Sequence, residues 1–278
     1  GTSLPETAVS VTASLVQNNE LAVSNVVGSN IFNLMFVIGV CSILTPIMVQ
    51  KATVVRDIPL SLGCALFLLV LGISGLGDKA GMTLGHADGV IFLIVFAGYI
   101  FTMVRSAMKA RAAGQKVEIE GVEECDNMKE LSYGKSILFL IVGAAAIAFG
   151  GDLTVDTASR IAIELGMSQT LVGLTIVSIG TSLPELVTSV VAARKNEVDM
   201  AVGNAVGSNI FNILMVLGIS SAISPVALIW ENIIDIVLLM VFSVMVWIFA
   251  GTRKKIERKE GIIMVVVYLV YCAYIIAR

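Results

Sequence analysis

The chain has 278 residues, of which 57% are hydrophobic and only 14% charged, with 18 Lys+Arg against 21 Asp+Glu and a formal net charge of -3. Its mean hydropathy is +0.94. A water-soluble domain of this length needs far more surface charge, so the composition excludes one and points to an integral, multi-pass membrane protein.

The chain opens on GTSLPE (Gly1 to Glu6), which sets a proline and a carboxylate in an apolar stretch and reads as the second half of a span. Apolar runs of spanning length follow at 21–44, 58–76, 88–108, 136–163, 168–193, 201–223, 233–250 and 262–277. Segment 109–135 mixes Glu118, Glu120, Glu123, Glu124, Asp126 and Glu130 with lysines and reads as a solvated linker between halves 1–108 and 136–278. It lacks the alternating Asp, Gly and terminal Glu of an EF-hand loop.

The two halves are copies. GTSLPE returns at Gly180 to Glu185, GSNIFN at Gly28 to Asn33 returns at Gly207 to Asn212, and Pro46 returns as Pro225. Roughly half the aligned positions are identical, the mark of an internal duplication. Equivalence of the halves leaves the first short of one span and the front of a second. The expectation is an all-α polytopic protein of ten transmembrane helices, shortened at its N-terminus to about eight and a half spans.

Short loops rich in Lys and Arg stay in the cytoplasm. Arg253, Lys254, Lys255, Arg258 and Lys259 place the loop before the last span inside. Counting back, the loops with Arg194 and Lys195, with Arg105, Lys109, Arg111 and Lys116, and with Lys51 and Arg56 also fall inside. The remaining loops hold only Lys79 and Arg160. QNNE at 17–20 then lies outside while its counterpart NEVD at 196–199 lies inside, so the repeats are inverted, the architecture of a transporter. Segment 109–135 is expected in the cytoplasm, and the protein in the cell (inner or plasma) membrane.

Proline supplies the chemistry. Pro5 and Pro184 lack an amide hydrogen and crowd the preceding turn, which frees carbonyls near Gly1, Thr2, Gly180 and Thr181. One helical turn puts Thr2 with Glu6, Thr181 with Glu185, Ser29 with Asn33 and Ser208 with Asn212 on common faces. Every candidate ligand is an oxygen, which suits hard cations such as calcium rather than zinc or copper. The single histidine, His86, is expected in an outside loop. Cys41, Cys64, Cys125 and Cys272 show no ligand spacing and read as apolar fillers, with no disulfide implied.

A carboxylate at the bilayer centre costs about 2.5 to 3.5 kcal/mol on insertion scales. Facing carboxylates Glu6 and Glu185 therefore require protons or cations. One divalent or several monovalent ions satisfy the pair and both together overload it, which gives exchange rather than leak.

GTSLPE followed by GSNIFN, duplicated in inverted repeats, resembles the cation/calcium exchanger superfamily and most resembles its prokaryotic sodium/calcium exchangers, over nearly the whole chain. The resemblance implies a ten-helix fold with a four-helix ion-binding core and a sliding two-helix bundle. It further implies that Glu6 and Glu185 bind calcium with backbone oxygens of Thr2 and Thr181. Sodium would use Thr2, Ser3, Glu6 and Ser29 on the inner side, and Ser178, Thr181, Ser182, Glu185 and Ser208 on the outer side. Asn33 and Asn212 would flank the middle. Some relatives, including potassium-dependent ones, carry aspartate where this chain has Asn212, which puts potassium coupling in doubt.

Alternatives remain at this level. Ser29 and Ser208 also suit close helix packing, and Asp152 and Asp156 read as wet carboxylates near a span's outer end. Protons could replace sodium as the coupling ion, although proton-coupled relatives usually carry a GN-containing signature. A channel normally draws its filter from several subunits. An intramembrane protease would need an activating histidine near Ser3 or Ser182, and none lies in a span. The expectation is a calcium/sodium antiporter that is no enzyme, needs no cofactor or obligatory protein partner, binds no nucleic acid, and has Ca2+, Na+ and the lipid bilayer as its partners.

Overall fold

The structure, a computed structural model, describes residues 2–74, 82–112, 133–164, 166–195 and 198–278. Gly1, Lys79, Lys116, Cys125 and the acidic run 118–130 lie outside the described residues, as do the side chains of Asp152 and Asp156.

The helices in chain order are α1 (Leu4–Leu15), α2 (Asn19–Ile31), α3 (Ile38–Leu44), α4 (Ile58–Ser74), α5 (His86–Ala112), α6 (Tyr133–Glu164), α7 (Gln169–Val172), α8 (Ser178–Thr181), α9 (Leu183–Arg194), α10 (Val198–Phe211), α11 (Leu217–Ile223), α12 (Trp230–Arg253) and α13 (Arg258–Ala277). Wider π-helical turns at Phe32–Val37, Gly173–Val177 and Asn212–Val216 join α2 to α3, α7 to α8 and α10 to α11, and another at Thr53–Asp57 leads into α4. Among the described residues, six helical stretches are long and apolar enough to cross a membrane: Glu20–Leu44, Thr53–Ser74, His86–Lys109, Met200–Ile223, Trp230–Arg253 and Arg258–Ala277. Thr170–Thr181 and Leu183–Arg194 make a seventh if counted as one span bent by 43° at Ser182. Expected span 136–163 corresponds to α6, whose 32 residues reach about 48 Å at 1.5 Å each.

Several helices start earlier than their apolar runs because polar side chains cap them. Asp88 accepts the Gly85 N–H at 2.8 Å and Glu260 accepts the Glu257 N–H at 2.7 Å, which carries α5 back to His86 and α13 back to Arg258. His86 is thus the first residue of a helix and not part of a loop, with Nδ1 2.9 Å from the Ala222 carbonyl oxygen.

The signature stretches occupy the centre. Over the most apolar 18 residues of each, 83% of Glu20–Leu44 and 67% of Met200–Ile223 is buried, against 17% of His86–Lys109, whose apolar face is left for lipid. Close approach there needs glycine: a Cβ on Gly28 would meet Ser178 Oγ at 2.7 Å and the Leu174 carbonyl oxygen at 2.9 Å, and one on Gly173 would meet Ser24 Cβ at 2.7 Å.

Pro46 and Pro225 end the two signature stretches identically. The residue before a proline is held out of the helical region, and Thr45 (φ -140, ψ 123) and Ser224 (φ -143, ψ 130) are both extended. Each leads into a two-residue strand, β1 (Ile47–Met48) and β3 (Val226–Ala227). Each strand pairs across the molecule: β1 antiparallel with β4 (Lys255–Ile256) of the second half, and β3 with β2 (Thr83–Leu84) of the first. The otherwise all-α architecture thus carries two matched bridges.

Candidate cation site

Helices α1 and α9 both begin Leu-Pro-Glu, with proline in the first turn where its missing amide is tolerated. The first bonds of the two ladders run from the Thr7 N–H to the Ser3 carbonyl (3.3 Å) and from the Leu186 N–H to the Ser182 carbonyl (3.1 Å). Thr2 and Thr181 therefore sit just ahead of a fresh helix, and Pro184 offers no donor to the Gly180 carbonyl. The sequence expectation for Gly1 falls outside the described residues.

Both glutamates are fully buried and tied crosswise. The Ser3 hydroxyl donates to Glu185 Oε1 at 3.0 Å, and the Ser182 hydroxyl donates to Glu6 Oε1 at 2.8 Å. Thr2 approaches Glu185, and Thr181 approaches Glu6, in the same reciprocal sense. Such pairing requires the two helix breaks to face each other about an approximate two-fold axis. The carboxylates lie within Coulombic reach of one another. Among the described residues, the ion pairs are Arg56–Asp57, Arg253–Glu257 and Arg278–Asp235, none of which involves Glu6 or Glu185.

Ser208 adds a hydrogen bond to Glu185 Oε1 at 3.4 Å. Its counterpart Ser29 instead donates to the Ser178 carbonyl at 3.4 Å and lies 3.4 Å from the Thr181 hydroxyl. Ser178 itself donates to the Leu174 carbonyl at 2.6 Å. The bonds of Ser3, Ser182 and Ser29 cut across the inner grouping of Thr2, Ser3, Glu6 and Ser29 and the outer grouping of Ser178, Thr181, Ser182, Glu185 and Ser208, because each half presents its GTSLPE serine to the other half's glutamate, whereas Ser208 stays with the glutamate of its own half.

The two asparagines of the expected middle position are also fully buried. Asn33, in the π-turn after α2, belongs to a segment packed on α9; Asn212, in the π-turn after α10, belongs to one packed on α1. Asn33 Nδ2 donates to Asn209 Oδ1 (3.3 Å) and Asn212 Nδ2 donates to Asn30 Oδ1 (3.2 Å). Asn209 Nδ2 in turn donates to the Asn30 main-chain carbonyl (3.0 Å), and Asn30 Nδ2 to that of Asn209 (3.3 Å).

Besides Ser14 Oγ, Asp88 Oδ1 and Ser220 Oγ, four buried side-chain oxygens among the described residues have no hydrogen-bond partner: Glu6 Oε2, Glu185 Oε2, Asn33 Oδ1 and Asn212 Oδ1. They form two repeat-related pairs, one carboxylate oxygen and one amide oxygen from each half. Buried polar atoms are nearly always satisfied, so a matched set of four unpaired acceptors marks a place for a partner that supplies protons or positive charge. Among the described residues no three His, Cys, Asp or Glu cluster together. A cation here would meet two carboxylates and otherwise neutral oxygens, the mix that suits hard ions.

Sequence reasoning passed over four residues of this region. Asn30 and Asn209 stand inside the quoted GSNIFN motif. Asn25 donates to Ser10 at 2.9 Å and accepts from Thr181 at 3.2 Å, while Asn204 donates to Ser189 at 3.2 Å and Thr188 at 3.3 Å. All recur at the offset that relates Pro46 to Pro225, which was the available signal. Cys41 and Cys64 are packed in the apolar core, as expected of fillers.

Comparison with known proteins agrees with this architecture. A family model described as sodium/calcium exchanger protein matches residues 1–105 and 135–277, leaving out most of the linker. The sodium/calcium exchanger MaX1 of Methanosarcina acetivorans is 30% identical over 98% of this chain and 84% of its own length. The inner membrane protein YrbG of Escherichia coli is 36% identical over 81% of this chain and 67% of its own length. A solved structure of the sodium-calcium exchanger NCX_Mj aligns with a TM-score of 0.73 and 32% identity, covering 98% of this chain and 83% of that one. With its duplicated signatures and inverted-repeat exchanger fold, this multi-pass membrane protein belongs to the sodium/calcium exchanger protein family.

Proposed function

We propose that the protein is a secondary antiporter that exchanges Ca2+ for Na+ by alternating access, with Glu6 and Glu185 at a site both ions share. The observation that carries the proposal is the symmetric set of four unpaired buried oxygens on Glu6, Glu185, Asn33 and Asn212. Two carboxylates without a basic partner are costly in hydrocarbon, and one calcium balances their charge. Sodium ions achieve the same balance by dividing among the carboxylates and the surrounding hydroxyls and carbonyls of Thr2, Ser3, Ser29, Ser178, Thr181, Ser182 and Ser208. Calcium and a full sodium complement would together overload the pair, so the ions exclude one another. The ion-free pair is disfavoured in the apolar interior, which couples one flux to the other.

The halves 1–108 and 136–278 supply one glutamate each, and segment 109–135 joins them on the cytoplasmic side of the cell membrane. The basic-residue pattern of the loops supports that orientation.

A second reading keeps the site and changes the coupling ion: protons neutralise the same carboxylates, which would make the protein a Ca2+/H+ antiporter. Calcium uptake into liposomes containing the purified protein separates the two. Uptake driven by an outward sodium gradient at equal pH supports the proposal. Uptake driven only by a pH gradient overturns sodium coupling, and flux without any counter-ion overturns exchange altogether.

A further inference from the structure

An asparagine can meet a cation with its carbonyl oxygen or present its NH2 to it, and only the first binds. The outcome is set by whatever holds the other end of the amide. For Asn33 that is Asn209, whose Oδ1 accepts the Asn33 Nδ2 at 3.3 Å. Asn209 is itself held: its Nδ2 donates at 3.0 Å to the Asn30 main-chain carbonyl. A main-chain carbonyl can only accept, so it dictates which end of Asn209 faces it, and that choice passes to Asn33. The mirror relay starts at the Asn209 carbonyl, passes through Asn30 (3.3 Å) and ends at Asn212 (3.2 Å). Each relay starts on a main-chain carbonyl of the same half as its site amide and passes through one asparagine of the opposite half, and all four side chains are buried. Reversing any one amide sets oxygen against oxygen or NH2 against NH2 at each contact it makes in its relay. The polarity that results leaves Asn33 Oδ1 and Asn212 Oδ1 as the unpaired atoms.

We infer that Asn30 and Asn209 are positioning residues that fix the polarity of the site's two amides, so that Asn33 and Asn212 turn oxygen and not nitrogen toward the transported cation. The inference rests on the calcium site proposed above and deepens it. It has a specific consequence: an aspartate in place of Asn33 or Asn212 has oxygen at both ends and needs no such control.

The test is a double-mutant cycle read as calcium affinity of the purified, detergent-solubilised protein, using Ca2+ itself as the probe. Asn209→Leu should weaken calcium binding about tenfold or more, the range typical of residues that orient a metal's ligands. In an Asn33→Asp background the same substitution should cost less than about threefold, because the coupling between touching residues is lost. Equal losses in both backgrounds, or no loss in either, would overturn the inference while leaving the calcium site intact. A wild-type protein that binds no calcium would overturn the site and the inference together. The mirror pair, Asn30→Leu with and without Asn212→Asp, must give the same pattern and serves in its place if Asn209→Leu does not fold.

Discussion

The hydroxyl of Ser182 donates a 2.8 Å hydrogen bond to the Glu6 carboxylate, 176 residues away in the chain, while the first half returns the same bond from Ser3 to Glu185. Neither glutamate is held by the serine of its own GTSLPE segment. The unit that binds is therefore the pair of signatures, and a change in either should be felt at both.

Glu185→Gln, and equally Glu6→Gln, is expected to abolish calcium exchange and leave the protein folded. Glutamine keeps the shape and an acceptor for the partner serine but removes half of the pair's charge. Flux in liposomes together with a monodisperse elution profile checks this, and wild-type flux from either variant would contradict the shared-site proposal.

Ser182→Ala and Ser3→Ala should each weaken calcium binding, and by similar amounts. A hydrogen bond to a charged group contributes about 1.5 to 3 kcal/mol, which sets the upper limit on the loss per variant. Calcium titration of both variants checks the symmetry, which fails if one loss is large and the other nil.

Acidification should weaken calcium binding. Protons and calcium compete for the same carboxylates, so calcium must displace bound protons as the pH falls and must release them on binding. Calcium titrations at several pH values in lightly buffered solution test both signs at once. A calcium affinity that does not change with pH would remove the carboxylates from the site.

Asp235, fully buried, pairs with the solvent-reaching Arg278, whose Nη2 lies 2.6 Å from Asp235 Oδ2, and the Tyr271 hydroxyl donates to the same carboxylate at 3.2 Å. Arg278→Gln should destabilise the protein because it leaves a buried carboxylate without its cation, though by less than the roughly 3 to 5 kcal/mol of a fully buried pair, whereas replacing both partners with leucine should recover most of that loss. Thermal unfolding in detergent reads the order of the three proteins.

Gly28→Ala should destabilise by about 1 to 3 kcal/mol through overpacking, since its new methyl would lie 2.7 Å from Ser178 Oγ. Gly98→Ala, on a helix face with nothing within 4 Å of the added carbon, is the control and should be neutral or slightly stabilising.

Much of this was legible in the sequence because hydropathy and repetition are written locally. The spans, the proline breaks and the pairing of GTSLPE with GTSLPE need no knowledge of contacts. What stayed hidden depends on partners far apart in the chain. Asn30 and Asn209 look like any small polar residue in a membrane helix until each is seen bonded to the other's backbone. The crossing of Ser3 to Glu185 could not be chosen over an in-repeat bond by spacing alone. Asp235 stood inside an expected apolar run with nothing to name Arg278 as its partner. Two-residue strands are too short to leave a period, and the π-turns around Asn33 and Asn212 follow from packing rather than from propensity. His86 was misplaced because an apolar run says where a helix is greasy, not where its cap begins.

Strands β1 and β3 each reach into the opposite half before pairing, so the two halves hold one another like clasped hands. Covalent continuity through the linker is then not what keeps them together. A version of the protein made as two polypeptides, divided between residues 113 and 132, should reassemble into a working whole, with the clasp rather than the loop supplying the alignment.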